Sequence, residues 1–142
     1  MLTVSSMREH FAQAALIYSC PQTGYKVRHC QVDPAALDNG ATVVFSGGCG
    51  KTLESYREAI AGYNALGFRC VALEWETHTR REDFYADTAH IYHSFLLQES
   101  RDRPARSLIA AGHSMGGRIV LENFRLHGND EPQVSHAVLK AP

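Results

Sequence analysis

Four short, nearly unbroken apolar runs alternate with stretches of helical spacing, and this alternation constrains the fold more than any other feature. The runs are ATVVFS (41–46), FRCVALEW (68–75), SLIAAG (107–112) and SHAVLKA (135–141). Each is too short for a core helix and apolar on both faces, as expected of a strand covered on both sides. TLESYREAIAGYNALG (52–67) places Leu53, Tyr56, Ile60 and Tyr63 on one helical face, with Gly67 as its stop. DFYADTAHIYHSFLL (83–97) does the same with Phe84, Thr88, Ile91 and Phe95, and GGRIVLENFRLHG (116–128) reads as a third helix. The expectation is an α/β domain with a mostly parallel sheet and helices on both faces.

A chain of 142 residues suits one domain, here residues 1–142. Residues 41–142 make the βαβαβαβ core. Residues 1–40 carry an N-terminal amphipathic helix in MREHFAQAALIYSC (7–20), then an antiparallel hairpin in CPQTGYKVRHCQVD (20–33) turning at Thr23-Gly24. Charged residues make up 20% and the formal net charge is −1, with no basic block, so no nucleic-acid partner is expected. No apolar run approaches the ~20 residues that span a bilayer, and Arg8, Glu9, His10 and Gln13 interrupt any export signal. Cys20, Cys30, Cys49 and Cys70 are scattered without a C-x-x-C pair, which reads as structural thiols in a reducing, cytoplasmic compartment.

GHSMGG (112–117) sets Ser114 between the third strand and the third helix, with Gly112 and Gly116 two residues to either side. A strand-to-helix turn this tight strains the serine backbone and leaves no room for side chains at 112 and 116. Ser114 Oγ is then exposed at the C-terminal edge of the sheet as a nucleophile. The Met115 N–H points into the same space, and the helix N-terminus adds positive potential there. Gly117 is read as allowing close packing of helix on sheet.

GGCGKT (47–52) looks like a phosphate loop. However, G-x-x-x-x-G-K-[ST] would put its first glycine at Phe45, inside the strand, so nucleotide binding is a minor alternative. His113 neighbours Ser114 but is expected to point away and pack. His90 and His93 lie three apart, towards the polar face of the second helix, and are read as solvated; no metal site is expected.

These motifs together resemble the α/β-hydrolase superfamily, in its lysophospholipase and monoacylglycerol-lipase-like branch (the serine-aminopeptidase-like group). The resemblance rests on VVFSGGCGKTLESYREAIAGYNALGFRCVALEW, DFYADTAHIYHSFL, GHSMGGRIVLENF and VSHAVLKAP, and covers roughly residues 41–142. It implies an acyl-enzyme on Ser114 formed from a small-molecule lipid-type ester, without a cofactor. It further implies a second oxyanion donor from the loop after the first parallel strand: the Cys49 N–H, or failing that Gly48.

Two departures stand out. EWETHTRREDF (74–84) lacks the glycine-bearing turn of the family. The acid and histidine that follow the serine in such proteins are absent, because Asp130 precedes the fourth strand and His136 lies at its start, which places both at the opposite edge of the sheet. The expectation is therefore a partial α/β-hydrolase fold, inactive or nearly so alone, whose exposed last strand invites self-association or a complementary chain. A non-catalytic binding or scaffold protein with the same fold is the alternative.

Overall fold

The computed structural model describes residues 16–35, 37–76, 83–104 and 106–141. Along them run β1 (Leu16–Ser19), β2 (Lys26–Val32), β3 (Ala41–Ser46), a 3₁₀ turn (Leu53–Tyr56), α1 (Arg57–Ala65) and β4 (Arg69–Trp75). Then come α2 (Phe84–Asp102), β5 (Ser107–His113), α3 (Met115–His127) and β6 (His136–Lys140). The sheet has the order β1-β2-β4-β3-β5-β6, antiparallel across β1, β2 and β4 and parallel from β4 through β6. The expected α/β architecture is present.

The period of two along each strand divides the core into two layers. Val44, Val71, Leu73, Leu108 and Ala110 face α2 and α3, where Ile91, Tyr92, Leu96, Ile119 and Val120 meet them. Val43, Phe45, Cys70, Ala72 and Ala111 face the other way, onto Leu53 and Ile60. Neither sheet face could be polar, which is why the strands read as unbroken apolar runs.

The order reverses at β3, which has β4 on one side and β5 on the other. At such a reversal the loops leaving the two strands diverge above the C-terminal edge and open a crevice. Here those loops are 47–52, after β3, and the turn at Ser114, after β5.

Two expectations need correction. Leu16–Ser19 is a strand, not the end of a helix: it pairs from Leu16↔His29 to Ser19↔Lys26, and Leu16 and Ile17 are exposed rather than seated on the domain. Leu, Ile and Tyr in succession find backbone partners on the edge of β2 that outweigh local helix preference. The rest of that predicted helix, up to residue 15, lies outside the described residues. The second helix also runs on past Leu97 to Asp102, because Glu99 is a buried residue facing the sheet.

Glu99 is the centre of an ion-pair network at the N-terminal edge of the sheet. Its Oε1 accepts from Arg69 Nε at 2.6 Å and from Thr42 Oγ1 at 3.0 Å, while Arg69 also donates to Asp33 and Gln31. At the other end of β2, Arg28 makes two hydrogen bonds to Glu54 and a third to Glu74, and Glu74 also accepts from the Leu53 N–H.

The Arg28 hydrogen bonds hold the Glu54 carboxyl down at about 2, against an ordinary 4.5. A depressed carboxylate contributes stability above its unfolded pKa and loses that contribution as pH falls through the folded one. Stability should therefore decline between about pH 4.5 and about pH 2. Urea midpoints measured across this range should show a shallower acid slope in Glu54→Gln; an unchanged slope would place the acid sensitivity elsewhere.

β6 lies at the edge of the sheet, and its five residues are all exposed, including Val138 and Leu139. Among the described residues, no helix is long and apolar enough to cross a membrane.

Candidate active site

The last residue of β5 and the first of α3 are separated by one residue, Ser114, whose backbone sits at φ 55°, ψ −119°. It is the sole non-glycine with positive φ among the described residues. L-residues avoid this region at a cost of ~1–3 kcal/mol, so the surroundings must impose it. The Ser114 N–H donates to Lys140 O at 2.8 Å, extending the β5–β6 ladder through the turn, and Ser114 O accepts from Gly117 N–H at 3.0 Å.

The flanking glycines are demanded by contact. A Cβ on Gly116 would stand 2.0 Å from Ser46 O and 2.6 Å from Gly47 O. One on Gly112 would stand 2.6 Å from the backbone of Gly116 and Gly117. The turn is thus pressed against the end of β3, which brings segment 47–50 beside Ser114. Gly117 differs: its Cβ would meet nothing closer than Gly112 O at 3.6 Å, an ordinary contact, so the close packing expected there is not required.

Ser114, Met115 and Cys49 line one open hollow of about 770 Å³, together with Tyr85, Leu121 and Leu139. Ser114 is half-buried and Cys49 exposed. As the first residue of α3, Met115 has no intrahelical acceptor for its N–H. On the rim, the Arg118 guanidinium lies 4.1 Å over the Tyr85 ring.

Gly48, the fallback oxyanion donor, is already engaged, since its N–H donates to Tyr56 Oη at 2.7 Å. Tyr56 Oη is also 3.0 Å from His113 Nδ1. Burial pushes the Tyr56 phenol up, which keeps it protonated. Tyr56 Oη thus accepts from the Gly48 N–H and shares a second hydrogen bond with His113 Nδ1. Tyr56 therefore ties the β3 loop to the residue before Ser114, and His113 has the packing role expected of it. Its position on the apolar face of 52–67 was legible in the sequence; its hydroxyl contacts were not.

The same hydrogen bonds weigh against a phosphate loop. The Gly47 N–H goes to Leu73 O, Lys51 N–H to Gly48 O, and Thr52 N–H to Ser55 Oγ. With Gly48 these are amides that a phosphate would need, and Phe45 is buried in β3.

Asp130 and His136 stand at the far edge, as expected. His136 pairs with Ile109, four residues before His113 and hence ~13 Å along the strand. Asp130 is instead bonded to His127. The solvated reading of His90 and His93 is corrected. His90 is exposed, but His93 is buried and stacks on His127, because α3 packs against that side of α2. Burial, then His127, pushes the His93 pKa below the ordinary value. Cys20, Cys30 and Cys70 are buried free thiols; burial raises that of Cys30 to about 12 and that of Cys70 further.

No family model and no curated protein matches this chain. Solved structures do. A thermostable carboxyl esterase from Bacillus coagulans aligns with a TM-score of 0.71 at 20% identity, over 88% of this chain and 43% of its own. A monoglyceride lipase from Saccharomyces cerevisiae gives 0.66 at 17%, over 87% and 43%. A lidless α/β serine hydrolase from Xanthomonas campestris gives 0.68 at 15%, over 90% and 70%. The chain thus spans 43% of the length of the first two. Sheet order, the turn at Ser114 and these alignments agree: the chain has part of the α/β-hydrolase fold, including its strand-to-helix turn at Ser114.

Proposed function

We propose that this chain carries the nucleophile and oxyanion site of a serine hydrolase acting on carboxylic esters with lipid-type acyl groups. The observation that carries the reading is the strained backbone of Ser114, held by glycine contacts that leave no alternative packing. In this reading Ser114 Oγ attacks the ester carbonyl and the alcohol departs. The N–H groups of Met115 and Cys49 hold the oxyanion, and water later releases the acid from the acyl-enzyme. Leu121, Leu139, Met115 and Tyr85 around the hollow suit an apolar acyl chain. The esterase and lipase among the similar structures favour the same substrate class.

The general base is the missing part. Among the described residues no imidazole is hydrogen-bonded to Ser114 Oγ; His113 is held by Tyr56, and His136 is at the other edge. His10 and His78 lie outside the described residues. Without a base on Ser114 Oγ, the described residues by themselves support only slow attack by the serine. The three buried thiols suit a reducing, cytoplasmic setting.

Fluorophosphonate labelling, read by intact mass, tests this. Wild-type chain should take up one label, faster with added imidazole as an external base, and Ser114→Ala should take up none. Label retained in Ser114→Ala, or no label in wild type with imidazole present, would refute it.

A further inference from the structure

The end of α3 remote from Ser114 gathers three imidazoles and a carboxylate. His93, on α2, is 8% exposed, and its ring stacks on that of His127, the last residue of α3, with centroids 3.9 Å apart. His127 Nδ1 is 2.9 Å from Asp130 Oδ2, and His127 Nε2 is 2.8 Å from His90 Nδ1. One donor atom from each of His93, His127 and Asp130 lies within 4.8 Å of the others. His93 and His127 also line a small hollow of about 40 Å³ with Asn123. Asn123 is 3% exposed, and its Oδ1 is buried with no hydrogen-bond partner among the described residues.

We propose that His93, His127 and Asp130 bind a divalent transition ion of the zinc class, with His90 as the outer partner of His127. Two imidazoles and one carboxylate form a nitrogen-rich donor set that suits zinc-like ions and is poor for calcium or magnesium, which take oxygen ligands. Ligands at ~2.0–2.2 Å on a tetrahedral ion stand roughly 3.3–3.6 Å from one another. The 2.9 Å spacing of His127 Nδ1 and Asp130 Oδ2 is close to that already. The two edges to His93 lie within 4.8 Å, so binding the ion requires the parallel rings of His93 and His127 to tilt towards it, with the exposed Asp130 carboxylate free to follow. A water completes the fourth position.

His90 supplies a specific feature of metal sites. A ligating histidine normally hydrogen-bonds through its other ring nitrogen, which fixes its tautomer. With His127 Nε2–H donating to His90 Nδ1, the lone pair on His127 Nδ1 faces the ion. Without metal, Nδ1 carries the proton that Asp130 accepts. The ion thus takes that proton's place, and both histidines change tautomer together.

The α3 helix has 13 residues, so the site stands ~18 Å along the axis from the nucleophile turn. Its role is a clip between α2 and α3, and it does not depend on the hydrolase reading.

Metal-free chain titrated with Zn²⁺ by calorimetry, and with Co²⁺ by visible absorption, tests the proposal. One ion per chain is expected, raising the melting temperature, with Co²⁺ bands free of thiolate charge transfer. His127→Gln and the surface variant Asp130→Asn should each weaken binding by more than tenfold, and His90→Phe by ~10-fold. Cys49→Ser, which removes the exposed thiol, should leave affinity unchanged. No saturable micromolar binding, wild-type affinity retained in Asp130→Asn or His127→Gln, or loss in Cys49→Ser would overturn it.

Discussion

Glu99→Ala should destabilise the fold by about 3–5 kcal/mol, a large share of the ~5–15 kcal/mol that holds a domain together. Glu99 is 3% exposed and Arg69 9%, and the Glu99 carboxylate is what allows the Arg69 guanidinium to stay out of water. Removing it strands the Thr42 hydroxyl, leaves Arg69 with Asp33 and Gln31 at the rim, and opens space between α2 and the sheet. The cost is mainly that the Arg69 Nε side and the Thr42 hydroxyl are left buried without their acceptor, rather than the worth of the pair itself. Urea unfolding should show a lower midpoint at unchanged slope. Glu122→Ala provides the comparison: its pair with Arg125 is solvated and should contribute nothing measurable. Should the two variants behave alike, water reaches Arg69, and the description of that edge as closed is wrong.

The second large effect separates two adjacent glycines. Gly116→Ala drives a methyl into the backbone carbonyls of Ser46 and Gly47, which belong to a strand and its loop and cannot swing away as a side chain could. Overpacking commonly costs ~1–3 kcal/mol, and a 2.0 Å approach to backbone belongs at or above the top of that range. The relief available is for the turn to lift off β3, which separates Ser114 from the 47–50 loop. Fluorophosphonate labelling should therefore collapse in Gly116→Ala although the serine is intact. Gly117→Ala makes only ordinary contacts and gains helix propensity of up to ~1 kcal/mol, so it should label normally and be as stable as wild type or more so. Equal behaviour of the two would show that the turn is not pressed against β3.

These two sites differ in how they appear in the sequence. Gly116 stands in a local pattern, two residues from a serine between an apolar run and a helical one, and the pattern carries its own steric meaning. Glu99 stands two residues past the stretch that reads as a helix, where no local pattern marks it for burial. Its partner Arg69 is thirty residues away, in a strand that reads as apolar despite it. The same blindness explains the solvated reading of His90 and His93. The groups that meet them, His127 and Asp130, come from another helix and its following turn. Tyr56 was placed on the right face by periodicity, but its bonds to Gly48 and His113 join residues 8 and 57 positions apart.

By itself, then, the sequence determined the alternation of strands and helices, the parallel sheet, and the serine turn with its required glycines. Each of these is encoded within a window of a few residues, by periodicity or by contacts along the chain. Tertiary structure alone decided that Leu16–Ser19 pairs as a strand, that Gly48 is engaged by Tyr56, that Glu99 is buried, and that the histidines of α2 meet His127 of α3. In each case the energy lies in a contact between separate elements, from a few to more than fifty residues apart, which the apolar periodicity of neither element contains.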